Sequence, residues 1–227
     1  MDYAIPPPPL PALPVAGRSE RFPLRRIYCI GRNYAEHAKE MGAEVERARP
    51  MFFMKPADAV VTAAEVPYPS ATSDLHHEVE MVVALRTGGR DIPAARALDC
   101  VYGYGVGLDL TRRDLQAVAK AKAHPWDAAK GFDASAPVSA IHPVDAIGHP
   151  RNLPLSLEVN GVRRQLASTG DMIFDVAAII HELSRLWCLA PGDLVFTGTP
   201  AGVAALARGD RFRATLGDFA VLEGQIV

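Results

Sequence analysis

Two glutamates one residue apart, Glu78 and Glu80, stand just ahead of the apolar run 81–85. In a strand, residues two apart project to the same face, so the two carboxylates point together while Val79 points away. Held side by side and buried, they repel, and one of them is driven to take a proton unless a cation intervenes. Mg²⁺, Mn²⁺ and Ca²⁺ all prefer carboxylate oxygen. The same spacing also suits a solvent-facing strand end. Asp109 closes the glycine-rich apolar segment 103–108 and precedes a helix. It can serve as a helix cap, or as a third ligand if its strand neighbours that of Glu78 and Glu80. Three carboxylates leave coordination positions free for a chelating substrate.

A second group is His37 and Glu40, three residues apart and so on one face of a helix. A carboxylate beside an imidazole raises its basicity and sets its tautomer, as a general base requires. An exposed helix with an ordinary His–Glu neighbour has the same spacing. Lys130 lies in the segment DAAKGFD at 127–133, and Arg112, Arg113 and Gln116 follow Asp109. Thr197-Gly198-Thr199-Pro200 follows a strand and can offer hydroxyls and backbone N–H groups to a carboxylate. His124, His142, His149 and His181 show no ligand spacing and read as structural.

Positioning these groups requires several short elements. The spacing predicts strands at 26–30, 52–55, 79–85, 101–110 and 194–197. Helices are expected at 34–41, with Asn33 as a cap, and at 94–99 and 111–122. The longest amphipathic helix is expected at 172–189. Asn160-Gly161 supplies the tight turn of a hairpin joining 155–159 to 161–165. Many short strands with few helices indicate an α+β fold, mostly β, built as an antiparallel sandwich or roll. Residues 1–16 hold six prolines, four of them at 6–9. They should form an extended arm draped on the body. The expected division is therefore an arm at 1–21 and one catalytic domain at 22–227.

With 49% apolar and 22% charged residues, the chain reads as an ordinary globular protein. A net charge of −2 gives no basic field for nucleic acid or an anionic membrane. Three cysteines, none close to another in sequence, give neither a disulfide framework nor a Cys-based zinc site. The start lacks the basic and apolar regions of a signal peptide. No stretch approaches the roughly 18 apolar residues of a membrane helix. A reducing cytoplasm is the expected compartment.

Taken together, the segments GRNYAEHAKE (31–40), MKP (54–56), LHHEVE (75–80), GLDLTRRD (107–114) and TGTP (197–200) resemble the fumarylacetoacetate hydrolase family. The order and spacing agree from about residue 22 to the C-terminus. The resemblance implies a mixed β-sandwich roll and a homodimer. It implies that Glu78, Glu80 and Asp109 hold Mg²⁺ or Mn²⁺, and that His37 and Glu40 activate water from a lid helix. It also implies that Lys130 is an active-site lysine, that Gln116 faces the substrate and that Thr199 lies near the substrate carboxylate. Arg112 is a further candidate substrate contact. Within the family, FPLRRIYCIGRNY (22–34), KPADAVV (55–61) and the Tyr68-Pro69 segment resemble bacterial fumarylpyruvate hydrolases of aromatic (gentisate) breakdown. The implied substrate is a 2,4-diketo acid cleaved to fumarate and pyruvate. Acylpyruvate hydrolysis, oxaloacetate decarboxylation and isomerisation or hydration of a dienoic acid belong to the same scaffold. A non-catalytic metal-binding scaffold is the alternative outside enzymology. One departure is Ala201-Gly202-Val203-Ala204-Ala205, where the family often has Ala/Lys-Gly-Val-Gly-Pro.

Overall fold

A computed structural model describes residues 3–42 and 44–227. Its centre is a six-stranded mixed sheet. The strand order is His142–Pro143, Val101–Leu108, Val79–Leu85, Asp193–Phe196, Arg26–Gly31 and Met51–Lys55. The one parallel pairing within it joins Asp193–Phe196 to Arg26–Gly31. All seven residues of Val79–Leu85 are buried, because both faces of the strand are covered. Val79, Met81, Val83 and Leu85 enter the larger apolar core, while Val82 and Ala84 enter a second core on the opposite face. This is the period-2 alternation of a strand buried on two sides.

The larger core is closed by a five-stranded sheet ordered Val162–Ser168, Pro154–Val159, Arg211–Leu216, Ala220–Ile226 and Glu65–Val66. Leu155, Leu157, Ala214, Leu216 and Ile226 point inward from it. The hairpin turn takes the expected form, with Asn160 at φ 53° and Gly161 at φ 75°. The helix Val176–Leu186 lays Ile179, Ile180 and Leu183 on the same core. It is shorter than expected because the Asp175 side chain caps Ala178 N–H and starts it late.

Two further expectations shift. Residues 111–112 are not helical: Thr111–Arg112 is a short strand beside Leu75–His77, and the helix is Arg113–Ala121. Asn33 does not cap the helix Ala35–Glu40, whose N-cap is Tyr34. Its amide instead donates to the Phe174 and Thr197 carbonyls and accepts from Phe174 N–H.

The N-terminal arm is bound into the body. Ala12–Pro14 pairs with Arg21–Pro23, and Val15 bridges to Ile141. Leu13, Val15 and Phe22 sit in the second core. Residues 3–10 are exposed, and Met1 and Asp2 lie outside the described residues. Among the described residues, no helix is long and apolar enough to cross a membrane. All three cysteines are free, with Cys188 exposed.

Candidate active site

The site forms where the ladder between Val79–Leu85 and Val101–Leu108 ends. Glu80 lies opposite Gly107, and Val79 opposite Leu108. One step beyond, Asp109 N–H donates to the Glu78 carbonyl at 2.8 Å. That register brings Asp109 beside the two glutamates. Ligand oxygens of Glu78, Glu80 and Asp109 lie within 4.8 Å of one another, and all three residues are buried. Sequence spacing alone left their convergence open; strand pairing creates it.

Cations surround the triad. The Lys130 ammonium donates to Glu78 Oε2 at 2.7 Å and to Asp109 Oδ2 at 2.6 Å. Arg113 Nη2 donates to Glu78 Oε1 at 2.6 Å. Lys55 Nζ lies 2.9 Å from Asp109 Oδ1, but at angles that do not make a hydrogen bond, so that buried oxygen has no donor. Lys55 donates instead to the carbonyls of Leu110 and Lys130.

Burial disfavours ionisation of Glu78, but Lys130 and then Arg113 outweigh it and hold the carboxyl far below its ordinary range. Glu80 behaves oppositely. Burial, then Asp109 and Glu78, push it well above the ordinary range, against the pull of Lys130 and of Gly198 N–H. Lys130 is itself disfavoured as an ammonium by burial, yet Asp109 and Glu78 raise its pKa. Glu80 is thus the carboxylate that burial and its acidic neighbours push toward the neutral form. With a hard oxygen donor set and one buried oxygen lacking a hydrogen bond, these residues fit a divalent cation.

Gly198 N–H donates to Glu80 Oε2 at 2.6 Å. The turn carrying it is pinned by Thr197, whose hydroxyl donates to the Met81 carbonyl. Thr199 is buried, and its hydroxyl accepts from Gln165 Nε2 at 2.8 Å. Gln165 Oε1 accepts from Val79 N–H and contacts His77 Nδ1.

The short helix Ala35–Glu40 stands over this group. His37 Nδ1 lies 3.2 Å from Glu40 Oε2, and the Glu40 carboxylate accepts from Gly202 N–H. His37 is buried. Burial lowers its pKa, against the opposing pull of Glu78 and Glu40. It therefore stays a neutral imidazole. Gln116, also buried, accepts from Arg113 Nη1 at 2.6 Å. One cleft is lined by His37, Glu78, Glu80, Arg113, Gln116, Lys130 and Thr199.

Arg112 lies outside this group. Its guanidinium donates to the Ala128 carbonyl and covers the Phe132 ring at 4.4 Å. Its neighbour Arg113 enters the cleft instead, because the helix begins at 113 rather than 111. The sequence reading had no role for Lys55 or Gln165. Lys55 lies in the MKP segment at 54–56, which offered a signal without a function. Gln165 sits in a hairpin strand and had none.

A buried carboxylate triad, ringed by ammonium and guanidinium groups and sharing a cleft with a His–Glu pair on a β-roll, makes a site that could hold a divalent metal ion. Residues 26–227 match the family model described as the fumarylacetoacetate (FAA) hydrolase C-terminal domain. The chain belongs to the fumarylacetoacetate hydrolase family. It is similar to a fumarylpyruvate hydrolase from Pseudomonas aeruginosa, crystallised with Mn²⁺ and pyruvate. That likeness has 46% identity and a TM-score of 0.97, covering 100% of this chain and 99% of that one. It is 43% identical to a mitochondrial oxaloacetate decarboxylase of Dictyostelium discoideum, over 82% of this chain and 85% of the relative. It is 44% identical to a mitochondrial oxaloacetate tautomerase of Rattus norvegicus, over 84% and 86%.

Proposed function

We propose that the protein hydrolyses the C3–C4 bond of a 2,4-diketo acid, with fumarylpyruvate as substrate and fumarate and pyruvate as products. The observation that carries this reading is the His37–Glu40 pair beside the carboxylate triad. Hydrolysis needs a base for water, whereas enolate chemistry alone does not. Glu78, Glu80 and Asp109 would hold Mg²⁺ or Mn²⁺, which as a Lewis acid stabilises the enolate charge developing on the pyruvate half.

Glu40 accepts from His37 Nδ1–H, which leaves the lone pair on Nε2. That nitrogen takes a proton from water, and the hydroxide adds to C4. Gln116 Oε1 is engaged by Arg113, so its NH₂ group is the free donor toward the oxyanion. Lys130 adds positive charge to the same cleft. Collapse of the adduct breaks C3–C4, and protonation of the released enolate gives pyruvate.

The names of the decarboxylase and tautomerase relatives favour a second reading, in which oxaloacetate is the substrate and no water attacks. Purified protein with Mg²⁺ and fumarylpyruvate should lose the ultraviolet absorbance of the enolised diketone as pyruvate accumulates, and EDTA should stop it. His37→Ala should slow that loss about 10²–10⁴-fold. Turnover of oxaloacetate alone, unaffected by His37→Ala, would put the second reading in place of the first.

A further inference from the structure

Lys120 lies one turn beyond Gln116 on the helix Arg113–Ala121, so Arg113, Gln116 and Lys120 share a face. All three line the active-site cleft. The Lys120 ammonium sits 5.3 Å from the centre of the Trp126 ring, which lines the cleft too. Arg32 reaches the same cleft from the loop between the strand Arg26–Gly31 and the helix Ala35–Glu40. Its backbone is held at φ 60°, a left-handed conformation that a non-glycine residue takes up at a cost.

The other cations of the cleft are committed: Lys130 to Glu78 and Asp109, and Arg113 to Glu78. Among the described residues, Lys120 and Arg32 have no carboxylate partner. They are close enough that Arg32, after burial and Arg113, lowers the pKa of Lys120. Two cations with no salt-bridged carboxylate, partly withdrawn from water and brought to one cleft by separate elements, offer what an anion needs.

We infer that Arg32 and Lys120 bind a second carboxylate, carried at the acyl end of the substrate. The inference rests on the diketo-acid hydrolase reading and deepens it by assigning Arg32 and Lys120 as the residues that select for an anionic acyl terminus. In this arrangement the 2-keto acid end faces the carboxylate triad, and the acyl terminus faces Lys120 and Arg32. Trp126 supplies a flat apolar wall beneath the ammonium.

The test compares kcat/KM for fumarylpyruvate with that for crotonylpyruvate, in which a methyl group replaces the terminal carboxylate. Both are measured with saturating Mn²⁺ on the wild type, Lys120→Gln, Lys120→Arg and Arg32→Gln. The wild type should prefer fumarylpyruvate. Lys120→Gln should lower the ratio of the two values about tenfold or more, as loss of a charged hydrogen bond does. Lys120→Arg should retain most of the ratio. An unchanged ratio in both Gln variants, or a wild type that prefers crotonylpyruvate, overturns the receptor and leaves the hydrolase reading standing. A wild type that cleaves neither compound overturns both.

Discussion

Lys130 has two jobs that separate experimentally. It is buried between Glu78 and Asp109, so Lys130→Ala leaves two buried carboxylates without their shared cation. In metal-free protein that change should cost about 3–5 kcal/mol. Mn²⁺ should restore much of it, so the rise in melting temperature on adding Mn²⁺ should be larger in the variant than in the wild type. Turnover with metal present should still fall about 10²–10³-fold, the loss expected on removing one charge-stabilising donor. An equal Mn²⁺ shift in both proteins would deny Lys130 its role in compensating the triad.

The opposed shifts of Glu78 and Glu80 add a pH dependence at the same scale. Without a cation, Glu80 is held protonated well above the ordinary carboxylate range. A cation that takes Glu80 as a ligand must displace that proton, so affinity rises with pH through the Glu80 pKa. Calorimetry of Mg²⁺ or Mn²⁺ binding in buffers of differing ionisation enthalpy should register about one proton released per ion. Under the proposed mechanism His37 governs the other arm of the profile. Its lowered pKa keeps the base neutral below the ordinary histidine value of 6.5. The acid limb of kcat/KM should therefore fall below pH 6.5; a limb above that value would contradict His37 as the base.

At the scale of elements, the turn after Asp193–Phe196 joins the helix Ala35–Glu40 to the triad. Gly198 holds φ at 93°, and a Cβ there would sit 2.6 Å from the Cβ of Asn33. Its N–H is the one that reaches Glu80. Gly198→Ala should cost about 1–3 kcal/mol in stability from strain and crowding and should weaken metal affinity by displacing Glu80. Thermal melts and a metal titration on one preparation check both. A variant that melts like the wild type would show that the turn is not held as described. Asn33 belongs to this device: it ties the chain entering Ala35–Glu40 to Thr197 and Phe174. The Gly202 N–H bonds to Glu40 tie the far end.

The whole molecule decides what the proline-rich arm is for. Residues 3–10 are exposed, whereas Leu13 is fully buried and Val15 nearly so. Removing residues 1–10 should leave stability and turnover near wild type. Removing residues 1–16 strips both side chains from the second core and should cost at least the ~2–5 kcal/mol typical of one large-to-small core change. Equal melting temperatures for the two truncations would mean that the arm is an accessory to the body.

Local chemistry was readable along the chain. The Glu78–Glu80 pair, the His37–Glu40 spacing, the Asn160-Gly161 hairpin and the buried run of Val79–Leu85 all follow from periodicities that involve only near neighbours. The family resemblance carried the β-roll, and it gathered Glu78, Glu80 and Asp109 into one expected ligand set. Which charges meet is a different matter, since it depends on register between distant strands and on where a helix starts. A start at 113 puts Arg113 in the cleft and leaves Arg112 on the Phe132 ring. Lys55 reaches Asp109 because the strand Met51–Lys55 ends beside it. Gln165 meets Thr199 and Val79 because a hairpin strand passes beneath the turn. These are contacts across about 20 to 90 residues of chain. Sequence periodicity carries no such information, because only packing of the sheets sets those distances.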